Sequence, residues 1–160
     1  MGVFVWQVEN MGTMAQEEVE VSLTMTWKSG TGNAKEDGVP DQSVETLFTQ
    51  DHSRILLLRH SKESQPLTYG IGTRADTDSD VKVTWLKYFD PKGSGKDLWN
   101  LLLSGEGLGK EEGRANGRET GMALCLSFSL APSSSKQVTF ALAWDMPIIR
   151  FPQGSQSYKR

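Results

Sequence analysis

Between positions 138 and 144 the side chains alternate without a break. Val138, Phe140, Leu142 and Trp144 share one face, and Thr139, Ala141 and Ala143 share the other. Period-two alternation predicts a strand with a core-facing side, and the small residues opposite leave room for a second layer to pack closely there. Pro147 then stops the ladder, since it has no N–H to donate and restricts the backbone of Met146. The strand is therefore expected to end near Asp145, with Ile148, Ile149 and Phe151 opening a new segment.

The pattern recurs along the chain. Val19, Val21, Leu23, Met25 and Trp27 alternate with Glu20, Ser22, Thr24 and Thr26, as in a strand with one buried and one wet face. Residues 3–9 precede it, and Asn10-Met-Gly-Thr13 supplies turn chemistry, so the two runs are expected to pair as a hairpin or a longer meander. Further strands are expected over 54–59, 67–72, 81–89, 122–130 and 137–145, while 29–46 reads as a polar loop. This is the signature of a mostly-β protein, an antiparallel β-sandwich with one short inserted helix. The helix follows Ser94, a candidate N-cap with Asp97 three residues on. Leu98, Trp99, Leu101, Leu102 and Leu103 give it an apolar side, and Gly105 suits its end. It is expected to lid one edge of the sandwich. Residues 105–121 are dominated by Gly and charged residues and read as a mobile loop.

A chain of 160 residues is one domain by prior and can bury a substantial core. Its net charge of −3, with both signs mixed, leaves no electrostatic footprint for nucleic acid and no polybasic patch for anionic lipid. The single cysteine, Cys125, rules out an internal disulfide, and no Asn-x-Ser/Thr acceptor occurs; both lean towards the cytosol. Neither a secretory h-region nor an apolar run of membrane-spanning length is present, so any membrane contact is expected to be peripheral.

Several motifs imitate chemistry. Asp76-Thr-Asp-Ser-Asp80 opens like a calcium loop, but its sixth position would be Val81 and its twelfth Lys87, so a solvated turn is the reading. Gly105-x-Gly-x-Gly-Lys110 suggests a phosphate cradle. It lacks the following Ser/Thr and comes after a helix, where a cradle opens one. His52 and His60, with a lone Cys125, make neither a zinc set nor a Cys/His pair, and no Gly-x-Ser-x-Gly elbow exists. Asp90 and Asp145 are the two acidic residues at strand ends beside aromatics, and both read as turn formers. Of the five tryptophans, Trp27, Trp85 and Trp144 fall on apolar faces and are expected in the core; a sugar-stacking platform is the alternative for the set, which includes Trp6 and Trp99.

Five words occur in order along the chain: Gly2-Val-Phe-Val-Trp-Gln-Val-Glu-Asn10, Arg54-Ile-Leu-Leu-Leu-Arg-His60, Tyr88-Phe-Asp-Pro-Lys-Gly-Ser-Gly-Lys-Asp-Leu-Trp99, Met122-Ala-Leu-Cys125 and Trp144-Asp-Met-Pro-x-Ile-x-Phe151. In these the sequence resembles the N-terminal domain of glycoside hydrolase family 116, and within it the non-lysosomal glucosylceramidases (bile acid β-glucosidases). It departs from them between Ser29 and Thr46, where a shorter polar loop replaces a Gly-rich one, and at Pro152, where many relatives have Gly. The resemblance implies that residues 1–160 are a single, incomplete N-terminal β-sandwich domain, a fragment lacking the (α/α)6 barrel that carries the acid/base and nucleophile carboxylates. It also implies a retaining β-glucosidase that releases glucose from glucosylceramide at the cytosolic face of membranes, with no metal in the hydrolytic step. No catalytic, cofactor-binding or metal-binding residue is assigned to this chain, which alone is expected to be inactive. The implied partner is the catalytic barrel, with glucosylceramide met only through the full-length enzyme and no role for nucleic acid. The alternative is a free-standing carbohydrate-binding or protein-interaction sandwich.

Overall fold

The computed structural model describes residues 1–12, 18–28, 42–48, 53–60, 66–74, 80–91, 93–105, 108, 120–150 and 157–159. Among the described residues ten strands and one helix follow in order: β1 (Gly2–Glu9), β2 (Val19–Lys28), β3 (Gln42–Phe48), β4 (Ser53–His60), β5 (Leu67–Arg74), β6 (Lys82–Phe89), α1 (Lys96–Leu103), β7 (Gly121–Leu130), β8 (Ser135–Asp145), β9 (Ile148–Arg150) and β10 (Ser157–Lys159). Two antiparallel sheets, a five-stranded β1-β8-β5-β4-β3 and a three-stranded β2-β7-β6, face each other as a β-sandwich, and β9 pairs with β10 separately. The strand expected over 137–145 ends at Asp145, and Met146 and Pro147 lie outside any strand.

Alternation builds the core from both sheets. The five-stranded sheet contributes Leu56, Leu58, Ile71, Val138, Phe140 and Leu142, and β7 answers with Met122, Leu124, Leu126, Phe128 and Leu130. Strand β7 is buried on both faces, because its other side, with Ala123 and Cys125, packs under α1 in a second cluster. Leu98, Leu101 and Leu102, at the i, i+3, i+4 spacing of one helix face, meet Leu86, Phe89, Ala123, Cys125 and Leu108 there. The helix therefore covers the outer face of the three-stranded sheet, where an edge lid was expected. Trp99 and Leu103 lie on its exposed side.

The sequence expectations need further correction. Strands β1 and β2 do not form a hairpin: β1 pairs with β8 from Gly2↔Leu142 to Glu9↔Ser135, and β2 pairs with β7 in the opposite sheet. The turn residues between them belong to a crossing. The Asn10 N–H donates to the Ser134 carbonyl at 2.9 Å and its side-chain amide to the Leu130 carbonyl at 3.0 Å. Ser133 Oγ in turn donates to the Gly12 carbonyl at 3.0 Å. Two crossings between the sheets, β1 to β2 and β7 to β8, are thereby tied side by side at one end of the sandwich. Strand β3 occupies part of what read as the loop 29–46; residues 29–41 lie outside the described residues. The N-cap of α1 is Gly95, at φ 74° and without a side-chain cap bond, one residue after Ser94. Gly105, also at φ 74°, ends the helix as expected.

Within the loop expected over 105–121, Leu108 is a described anchor. Leu108 is buried, and its N–H donates to Thr84 Oγ1 at 3.0 Å, so this backbone group is satisfied inside the second cluster. Residues 106, 107 and 109–119 lie outside the described residues.

Candidate functional site

Register carries small residues across the middle of the five-stranded sheet on its outer face. Val3 lies opposite Ala141, Ala141 opposite Gly72, and Gly72 opposite Ile55; one row along, Ala143, Gly70 and Leu57 continue the line. Two glycines and two alanines make a floor with almost no side chain, and the Val3 side and the Ile55 and Leu57 side rise about it. The result is a trough of about 460 Å³. A Cβ at Gly70 would meet Leu57 Cδ2 at 3.2 Å, so a side chain there would crowd Leu57 and raise the floor. The sequence had shown only one strand of this floor, in Thr139, Ala141 and Ala143. The matching signal was Gly70-Ile-Gly72, a stretch of strand whose two glycines leave the middle of one face without side chains.

A second apolar opening lies where edge strands β1 and β2 face each other. Phe4 and Trp6 of β1 share the inner face with Phe140 and Val138, yet both are about half exposed. With Leu23, Met25 and Phe140 they line a cleft of about 350 Å³.

The tryptophans divide. Trp27 and Trp85 are half-buried against the main core, as expected, and Trp27 packs at a tilt against Tyr69, with ring centroids 5.6 Å apart and 53° between the planes. Trp144 is a correction: opposite Tyr69 at the end of β8, it is 57 % exposed. Periodicity places the ring on the core-facing side of β8, but at the strand's end it stays exposed. Trp27 Nε1 is buried and has no hydrogen-bond partner among the described residues.

The motif residues that are described do not converge. Asp80 is exposed at a turn, and positions 76–79 of the calcium-like run lie outside the described residues, as do His52 and Lys110. His60 closes β4. Asp90 and Asp145 are exposed, and the Gly93 N–H donates to the Asp90 backbone carbonyl at 3.2 Å. Cys125 is free and buried, with Sγ 3.7 Å from Ser127 Oγ. Among the described residues no group of three or more His, Cys, Asp or Glu is placed to hold a metal ion, and no helix is long and apolar enough to cross a membrane.

A protein-family model described as beta-glucosidase 2, glycosyl-hydrolase family 116 N-term matches residues 1–160, the whole chain. The chain belongs to this family. As a family 116 N-terminal domain it is a β-sandwich whose conspicuous surfaces are apolar: the trough, the β1/β2 cleft and the ring of Trp144.

Proposed function

We propose that this chain is the non-catalytic sandwich of a glucosylceramidase-like β-glucosidase, supporting the (α/α)6 barrel in which the hydrolytic carboxylates reside. On this reading residues 1–160 are part of one N-terminal domain. Glucosylceramide is met only by the full enzyme, working peripherally at the cytosolic face of a membrane. The observation that carries the supporting role is the trough on the outer face of the five-stranded sheet. A concave apolar surface with a floor of Gly70, Gly72, Ala141 and Ala143 lets another element approach the backbone closely, which a solvated face does not need.

Titrating the chain into a purified family 116 barrel tests this. Binding is expected, with Ala143→Glu weakening it at least tenfold while the far-UV spectrum of the variant stays that of the parent. Ala143 is exposed, so the carboxylate changes the floor and not the core. The chain alone is expected to leave an aryl β-glucoside at the buffer blank. Barrel binding indifferent to Ala143→Glu would remove the trough as the docking face, and turnover abolished by one Asp or Glu substitution would overturn the non-catalytic reading.

The free-standing module keeps one observation in its favour, the exposed Trp144 ring beside Tyr69. Aromatic faces of this kind stack on sugars. Saturable quenching of tryptophan fluorescence by a β-glucoside, lost in Trp144→Ala, with no binding to the barrel, would favour that module.

A further inference from the structure

Strand edges in sheets are normally protected by charge, because a row of unpaired N–H and C=O groups invites another strand. In the two facing sheets, edge strand β2 carries Glu20 and Lys28, and edge strand β6 carries Lys82 and Lys87. Strand β1 carries one charge, Glu9, at its last residue. From Gly2 to Val8 it has no charged residue, no proline and an unbroken register with β8, and no described strand pairs with its other side. Val3, Phe4, Val5 and Trp6 are all exposed, on both faces of the sheet at once.

The order of these residues says what fits. Placing a second β1 antiparallel about a two-fold axis at Val5 sets Val5 against Val5, Phe4 against Trp6, and Val3 against Gln7. Phe4 and Trp6 of each copy then meet as cross-strand aromatic pairs on the inner face, where both rings are now half bare, and the two valines meet on the outer face. No charge is opposed by a like charge within this stretch, since Gly2 to Val8 contains none. An isologous contact of this form closes on itself and leaves no further edge of its kind open.

We propose that the chain pairs with a second copy of itself through β1, joining two five-stranded sheets into one ten-stranded sheet about Val5. The contact narrows the open side of both β1/β2 clefts and covers the exposed Phe4 and Trp6. It uses the edge of the sheet, whereas the barrel-docking proposal uses its face, so either can fail without the other.

Light scattering on the purified 160-residue chain is expected to give twice the 17.7 kDa of one chain. Val5→Lys, which opposes two ammonium groups at the axis, should return the mass to that of one chain. Val19→Lys, on the exposed end of edge strand β2, should leave the dimer intact and shows what a surface lysine alone does. Register is read by cysteine pairs. Val5→Cys should form an inter-chain disulfide under mild oxidation, and the native Cys125, buried in the second cluster, does not compete. Val3→Cys alone should not cross-link, but should do so when mixed with Gln7→Cys. A chain that stays monomeric, a dimer that survives Val5→Lys, or cross-linking by Val3→Cys alone as fast as by Val5→Cys would each overturn the proposal. If Val5→Lys fails to fold by circular dichroism, the disulfide pattern of the cysteine variants decides.

Discussion

Phe140→Ala should cost about 3–5 kcal/mol of folding stability, and Trp144→Ala, four residues along the same face of β8, less than about 1 kcal/mol. The two rings differ in what lies across from them. Phe140 is 3 % exposed and packs among the β7 leucines and Phe128, so its removal leaves a cavity that neighbours in two sheets cannot close. Trp144 is 57 % exposed, so much of its area is in water before any substitution. For a domain of this length each kcal/mol moves the midpoint by roughly 2–4 °C, and the two variants should melt about 10 °C apart. Equal midpoints would mean that the Trp144 ring is covered in solution, and the exposed aromatic end would then cease to be a surface at all.

That contrast marks the limit of periodicity as a guide. Alternation gives the face a residue points to, and for β8 it was right at every position from Val138 to Trp144. It says nothing of how far the opposing sheet extends, which depends on three strands pairing elsewhere in the chain. The same limit explains β1. Residues 3–9 were legible as a strand, but its partner was not, because Asn10 and Gly12 are equally good turn formers in a hairpin and in a crossing between sheets. The carbonyls of Leu130 and Ser134, more than a hundred residues later, decide between the two. Leu108 was illegible for a simpler reason. One leucine amid glycines and charges carries no periodicity, and only the hydroxyl of Thr84 shows why it is inside. The trough was half legible: Thr139, Ala141 and Ala143 announced a close-packing face, and the register of β5 against β8 was needed to place Gly70 and Gly72 beside them. Family membership was legible in whole words of sequence and not in any single site.

Gly121→Ala should destabilise the domain by about 1–3 kcal/mol, and Gly121→Val by more, although the site begins a strand, where Val is ordinarily favoured. The cause lies in β6. Leu86 pairs with Ala123 and Phe89 with Gly121, so β6 spends three residues where β7 spends two, which is a β-bulge. The extra residue turns Phe89 onto the outer face, among Leu98, Leu101 and Leu102 of α1, and lays its ring across the place where a side chain at position 121 would stand. A Cβ there overlaps the far end of that ring, and Phe89 can yield only by disturbing the helix packed on it. The strain should be relieved when the ring is made smaller. In a thermal-melt cycle, Phe89→Leu combined with Gly121→Ala should therefore be less damaging than the sum of the two single variants, as contacting residues are. Strict additivity would mean that the glycine is required for its backbone and not for the ring above it. The bulge would then serve only to end β6 and not to seat α1 on the sheet.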